Sequence, residues 1–399
     1  MGTSLPTPPL KLPTPEVSIP QVSIPKVSII VPARNEEASL GACLQSLTAQ
    51  TGAPFEIIVV DDGSADRMRQ IAQGFAGVRV ILPASPPQDC AGKSWTGKNN
   101  AIVAGVKAAC APWLLFTDAD TVHLPGSLAR ALEEAQNERA DLLSYSPEQV
   151  VVTFAERAVM PVIFAELAAH YPPRKVRDQN SGRSKQSSGQ SSRQGSGVAA
   201  ANGQYILVRR DAYDALGGHA AVATEILEDV ALARLFRNAG QRVYFRYGAD
   251  AVRTRMYRNW AQLSEGWTKN LALLFPNPGR LALQSVVLWF AAWFAIAIAA
   301  SGALSHHFVW IAAAALWLLV YRQIRAAHFT TANNLLAIAA GLPMFAYLLL
   351  RSKKAHAKGQ VSWKGRTYSV DAPGESRPAA LPAARTIASI ENQKLRTEN

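Results

Sequence analysis

FEIIVVDDGS, residues 55–64, and PWLLFTDAD, residues 112–120, are built alike: each is an apolar, partly β-branched run that stops at a pair of carboxylates. Short apolar runs closed by turn residues read as strands buried on both faces. VSIIV at 27–31 is another, ending at Pro32, and VRVIL at 78–82 a further one. Between them, Glu36–Ala49 carries Leu40, Cys43, Leu44 and Leu47 at helical spacing, and Met68–Phe75 and Gly97–Cys110 also read as helices. This alternation predicts an α/β fold, a mostly parallel sheet with helices on both faces, in which ligands bind at the carboxyl ends of the strands. The acidic clusters sit at those ends.

Each cluster has a chemical reading and a structural one. Asp61 and Asp62 can accept hydrogen bonds from a nucleobase imide or ribose hydroxyls, but DDGS is also an ordinary turn with a helix cap at Ser64. Asp118 and Asp120 are two residues apart. Strand alternation would put both on one side, where they can approach one hard divalent cation bridging them to a diphosphate. Glu228 and Asp229 open the helical stretch EILEDVALARLFRNAG (225–240), where a carboxylate serves as a base or as a helix cap. Lys98, in GKSWTGKNN (92–100), precedes a helix and reads as a phosphate ligand or a solvated loop lysine. Asn99 after Lys98 rules out a P-loop. His123, His170, His219, His306 and His307 show no ligand spacing.

The 399 residues exceed one average domain. Three uncharged runs, 281–301, 308–321 and 334–350, approach the ~20 residues that a helix needs to cross a bilayer core. The net charge of +12 crowds beside them at Arg322, Arg325, Arg351, Lys353 and Lys354, as on cytoplasmic flanks. No base-stacking or groove-reading module accompanies this charge, which argues against a nucleic-acid partner. Cys43, Cys90 and Cys110 have no paired spacing, which fits a reducing compartment and argues against a cysteine-bound metal. Residues 1–26 read as a flexible Pro-rich leader without a signal peptide, 27–277 as the α/β domain, 278–350 as about three transmembrane helices, and 351–399 as a basic juxtamembrane segment and disordered tail. Within the domain, Ala155–Tyr171 reads as an interfacial helix, and 174–197, rich in Ser, Gln, Gly and Arg, as a mobile loop.

VSIIVPARNEE (27–37), EIIVVDDGS (56–64), TGKNNA (96–101), LLFTDAD (114–120), ANGQYILVRRDAYDALGG (201–218) and EILEDVALA (225–233) resemble, in order, the motifs of family 2 glycosyltransferases of the GT-A fold, which is Rossmann-like. The resemblance covers about Val27 to Asn270, and the C-terminal helices are similar to those of membrane-bound members. VMPVIFAELAAHYPP (159–173), RMYRNW (255–260) and VSWKGRTY (361–368) look like the branch with hopene-associated and carotenoid glycosyltransferases. The resemblance implies Pro32, Arg34, Glu36 and Asp62 around the nucleoside, Lys98 near the donor, and Asp118 and Asp120 at ribose and a divalent metal, Mg2+ or Mn2+. It makes Asp229 the base and puts Glu228 on the acceptor side. Arg258, Trp260 and Trp267, with Tyr257, read as an acceptor platform, while an interfacial aromatic belt explains the aromatics equally well.

The expected activity is therefore inverting transfer from a nucleotide-diphosphate sugar to a hydroxyl of a lipid or lipid-linked acceptor, with the catalytic domain on the cytoplasmic face of a multi-pass protein of the cell membrane. Alternatives are a processive polysaccharide synthase and a catalytically silent nucleotide-binding membrane scaffold. Processive members carry Gln-x-x-Arg-Trp, whereas here Arg258 and Trp260 are spaced by an extra residue and the Gln is missing. Three crossings would leave Arg351–Lys358 outside, against the positive-inside tendency, unless one run is re-entrant or the helix near Ala155 crosses.

Overall fold

The computed structural model describes residues 24–88, 94–173, 175–176, 199–301 and 307–369. Most of the expected leader, Cys90, most of the 174–197 insertion, His306 and the tail from 370 lie outside the described residues. The strands are β1 (Val27–Ala33), β2 (Phe55–Asp61), β3 (Val78–Ile81), β4 (Trp113–Phe116), β5 (Thr121–His123), β6 (Leu142–Ser146), β7 (Glu148–Gln149), β8 (Ile206–Arg209), β9 (Val243–Tyr247), β10 (Val252–Thr254), β11 (Gln360–Trp363) and β12 (Arg366–Ser369). The helices are α1 (Leu40–Thr48), α2 (Met68–Gln73), α3 (Gly97–Ala108), α4 (Ser127–Asn137), α5 (Phe154–His170), α6 (Arg210–Ala215), α7 (Glu228–Asn238), α8 (Trp260–Leu274), α9 (Pro278–Ser301), α10 (His307–Ile324), α11 (Thr331–Leu336) and α12 (Leu342–Ala357).

The main sheet has seven strands in the order β3-β2-β1-β4-β8-β6-β9. β1 pairs in parallel with β2 and β4, β2 with β3, and β6 with β9, while β8 is antiparallel to both its neighbours. Side chains alternate across each strand, so one run feeds two cores. Ile29, Val31, Ile57 and Val59 pack with α1, α2 and α4, and Ile30, Ile58 and Val60 pack with α3, α6 and α7. α3 lies close because Gly105 carries no side chain: a Cβ there would stand 2.5 Å from Ile30 Cγ2.

A third core joins this domain to the apolar helices, with Val159, Val162 and Ile163 of α5 and Leu263, Trp267 and Leu271 of α8 facing Leu342, Phe345 and Leu349 of α12. α5 starts in a capping box, Thr153 with Glu156, and Arg255 braces Glu156 at 3.2 Å. The segment expected as an interfacial helix is instead buried all round in protein over 158–163.

Three stretches are long and apolar enough to cross a membrane: Pro278–Ser301, His307–Ala327 and Thr331–Ala357. The second outruns the expected 308–321 and reaches 21 residues. The third differs in kind, since its most apolar part is 50% buried in protein against 17% for the other two. It passes through a π-helical turn, Ala337–Gly341, which frees backbone carbonyls, and Ala339 O accepts from Trp289 Nε1 at 2.8 Å and Trp293 Nε1 at 3.3 Å.

Both ends of this third stretch are tied to the α/β domain. Arg157 Nε donates to Asn333 Oδ1 at 2.9 Å at its start, and Arg351 Nη1 donates to Ser264 Oγ at 2.6 Å near its end. Residues 351–357, expected as a juxtamembrane tail, are helical, and 360–369 form an antiparallel hairpin that folds back onto the domain. Nothing in the composition of VSWKGRTY distinguishes such a hairpin from a polar tail.

Candidate active site

The carboxyl ends of β1, β2 and β4 open into a cavity of about 740 Å3 that also reaches α5, α7, α8 and the β11–β12 turn. Of the expected donor residues, Pro32, Arg34, Glu36, Asp62, Lys98 and Asp118 all line it, as do Asp120, Glu228 and Asp229.

The two carboxylates of DDGS divide. Asp61 is fully buried and structural, accepting from Ser64 N at 2.8 Å and pairing with Arg69 at 2.6 Å. Asp62 faces the cavity, and Arg34 Nη1 donates to its backbone oxygen at 2.7 Å. The Asp62 carboxylate is held by Arg366, and Lys364 of the same hairpin pairs with Glu36. Residues 361–368 therefore wall the pocket where a nucleoside was expected.

Asp118 and Asp120 meet by a different route from the one expected. β4 ends at Phe116, and Asp118–Ala119–Asp120 form a turn closed by Thr121 N donating to Asp118 O at 3.2 Å. The pleat of a strand plays no part. Burial, then the neighbouring Asp118 and Glu36, push Asp120 up to about 7. Its Oδ1 is buried and finds no hydrogen-bond partner among the described residues. Such an orphaned oxygen beside a second carboxylate suits a hard cation. Among the described residues no three His, Cys, Asp or Glu side chains gather as a complete cage.

Lys98 is the hub. Its ammonium lies 2.8 Å from Asp118 Oδ1 and 2.7 Å from Glu228 Oε1. Burial opposes its charge, but the two carboxylates more than reverse that and hold it well above the usual lysine value. Thr96 caps α3 by accepting from Asn99 N, and Asn99 Nδ2 donates to Val222 O and Ala223 O at 3.0 Å, fixing the segment that delivers Glu228 and Asp229. Asp229 Oδ2 accepts from Gly203 N at 2.9 Å and Oδ1 from Val230 N at 2.8 Å. Burial and the Glu228 charge still push Asp229 up to about 6, whereas Lys98 and Lys269 overcome burial to keep Glu228 low. The N-cap of α7 is Leu227, with no side-chain cap, and Glu228 is instead paired with Lys98.

Of the residues expected on the acceptor side, Trp267 lines the cavity, its Nε1 donating to Met160 Sδ at 3.4 Å, with Tyr257 beside it. Arg258 reaches the rim and donates to Ala38 O at 2.8 Å and Ser39 Oγ at 3.2 Å. Trp260 is not brought to the cavity: it stacks on Tyr347 with ring centroids 6.1 Å apart, because it opens α8 on the outward face. His123 and His219 are buried and pushed down to about 3 by that burial, as suits neutral core histidines.

Sequence reasoning missed Gly203, Lys269, Lys364 and Arg366. At Gly203 a Cβ would stand 3.0 Å from Lys98 Nζ, and the quoted ANGQY motif did carry that hint. Lys269 lies 5.2 Å from the centre of the Trp363 ring, and burial lowers its pKa. The two hairpin cations lie in the quoted VSWKGRTY motif, but nothing in it pointed to Asp62 or Glu36 as their partners.

Carboxylates and a lysine gathered at the strand ends of a mostly parallel sheet, beside apolar helices, are the ground on which similarity to known proteins can be weighed. Residues 28–180 match glycosyl transferase family 2 and residues 183–376 match glycosyl transferase family 21. The 4,4'-diaponeurosporenoate glycosyltransferase of Staphylococcus aureus strain USA300 is 30% identical over 355 residues, covering 86% of this chain and 88% of its own. That of strain MRSA252 is 29% identical over the same length. A mannosyltransferase from Pyrobaculum calidifontis in complex with GDP-Man and Mn2+ is similar at 16% identity and a TM-score of 0.42, covering 82% of this chain and 86% of its own. The chain belongs to the family 2 glycosyltransferases of GT-A fold, in the branch that includes the carotenoid glycosyltransferases.

Proposed function

We propose that this glycosyltransferase moves a sugar from a nucleotide-diphosphate donor to a hydroxyl of a lipid acceptor, such as a carotenoid-type lipid, with inversion at the anomeric carbon. The observation that carries this reading is Asp229, raised to about 6 and so largely ionised at neutral pH, held in one cavity with Lys98, Asp118 and Asp120. As the acceptor oxygen bonds to the anomeric carbon, its proton passes to Asp229, and the bond to the nucleoside diphosphate breaks. Lys98 faces the growing charge on the diphosphate. Asp118 and Asp120 are the residues to hold a divalent cation, Mg2+ or Mn2+, which when bound supplies positive charge to the leaving diphosphate. Pro32, Arg34, Glu36 and Asp62 line the nucleoside end, and Glu228, Trp267 and Arg258 border the acceptor end and rim.

Of the three apolar stretches, α9 and α10 form the crossing hairpin, and Thr331–Ala357 lies along α5 and α8. Both its ends touch the α/β domain, which a crossing helix of about 40 Å cannot do. Arg322, Arg325, Arg351, Lys353 and Lys354 then stay on the catalytic, cytoplasmic side, as the positive-inside tendency requires. In a cysteine-free background, His307→Cys should label from the side opposite to Lys354→Cys. Labelling of both from one side refutes the arrangement.

The function is tested with detergent-purified protein, a panel of nucleotide sugars, a bacterial lipid extract, and Mg2+ or Mn2+ against chelator. Metal-dependent nucleoside diphosphate release with label in the lipid fraction is the expected result. No release from any donor would overturn the assignment.

A further inference from the structure

The cavity has two unlike ends. Around Lys98 and Asp229 it is charged, whereas away from them its wall is Phe164, Leu167 and Ala168 of α5, Leu274 of α8, and Ala326 and Ala327 in the turn that ends the His307–Ala327 stretch. Phe164, Leu167 and Leu274 are only half-buried, so apolar surface is left facing the space. The wall is braced. Phe164 meets Trp267 and Phe329 edge-on at 6.1 and 6.2 Å, Tyr171 Oη donates to Leu274 O at 2.8 Å, and Gln323 Nε2 donates to Glu166 Oε1 at 3.0 Å, tying α10 to α5.

We infer that this apolar arm is the subsite for the hydrocarbon chain of the acceptor, entered sideways from the bilayer along α5 and the end of α10. The inference rests on the lipid-acceptor reading above and adds which wall the chain occupies. One uninterrupted space joins the end of a membrane stretch to Asp229, so a chain can slide in without crossing water. Exposure to water would cost about fourfold in equilibrium for each methylene. Tyr171 follows α5 directly and lines the cavity together with Leu167 and Asp229. An acceptor whose polar head reaches Asp229 therefore lays its first carbons against Tyr171 and Leu167.

The test uses the full chain in detergent micelles and two probes. First, a C16 alcohol bearing a terminal diazirine is photolysed with the protein, which requires no turnover. Label in peptides spanning 154–171 and 271–276, displaced by unlabelled C16 alcohol, is expected. Label confined to the outward faces of α9 and α10 would overturn the subsite, even if transfer to lipid is confirmed. Second, transfer to the C16 alcohol is compared with transfer to a C6 alcohol. Ala168→Trp and Leu167→Trp should lower the C16-to-C6 ratio at least tenfold while the donor still raises Tm, which shows that the variants fold. An unchanged ratio refutes the inference. If wild type transfers to neither alcohol nor to any lipid, the functional reading fails, and the crosslink still decides the subsite.

Discussion

Replacing Lys98 with Gln tests how the site sets its base. The ammonium lies within 2.8 Å of both Asp118 and Glu228 and offsets the Glu228 charge that raises Asp229. Without it, Asp229 faces Glu228 unscreened, and a nearby charge of this kind moves a carboxyl by about one unit or more. The base works as carboxylate, so activity rises with pH through its pKa and levels off above. A shift from about 6 to about one unit higher makes Lys98→Gln about fivefold worse at pH 6 than at pH 8, on top of a pH-independent loss from donor contacts. The assay is the pH profile of kcat/KM for the donor, which reports the free enzyme. Asp229→Asn is the reference, expected to lose about 100- to 10,000-fold and, at saturating Mg2+ or Mn2+ so that Asp120 stays ionised, to lose the acid limb. An acid limb in Lys98→Gln that stays in place or moves down would refute the assigned coupling.

Asp120→Asn should abolish the gain in donor affinity that Mg2+ or Mn2+ gives while sparing metal-free binding, read by calorimetry with and without chelator, and an unchanged metal effect removes Asp120 from the cation site. Arg366→Ala leaves the Asp62 carboxylate without its cation, which should loosen the hairpin and speed limited proteolysis between Lys358 and Arg366 several-fold. Unaltered cleavage would mean that the ion pair does not hold the hairpin. At Gly341 a Cβ would stand 2.0 Å from Ala158 O, backbone that cannot swing aside, so Gly341→Ala should cost about 1–3 kcal/mol and lower Tm by several degrees. An unchanged Tm would show that α5 and the π turn can separate freely.

The parallel core was legible because its evidence is local: Val27–Val31 and Phe55–Asp61 are buried on both faces, and such strands are recognisable from their own residues. The same holds for Lys98, Asp118, Asp120 and Asp229, each standing where an apolar run stops or a helix begins. What stayed hidden depends on distant parts of the chain. Nothing near Arg366 shows that it will meet Asp62, and Trp260 looks as suitable for the site as Trp267 until α8 is placed and its outward face is known. The third apolar stretch is as hydrophobic as a crossing helix, and only its contacts with α5 and α8 set it apart.

Arg366 joins Asp62 across 304 residues of chain, after three apolar helices. The ribosome releases the hairpin only when everything ahead of it has been made and α9 and α10 have had time to insert. A nascent or prematurely ended chain already carries Asp229 and Lys98, but Asp62 and Glu36 still lack Arg366 and Lys364. The Arg366–Asp62 pair therefore forms only after the apolar helices have been made, and a fragment cut at 277 would lack it.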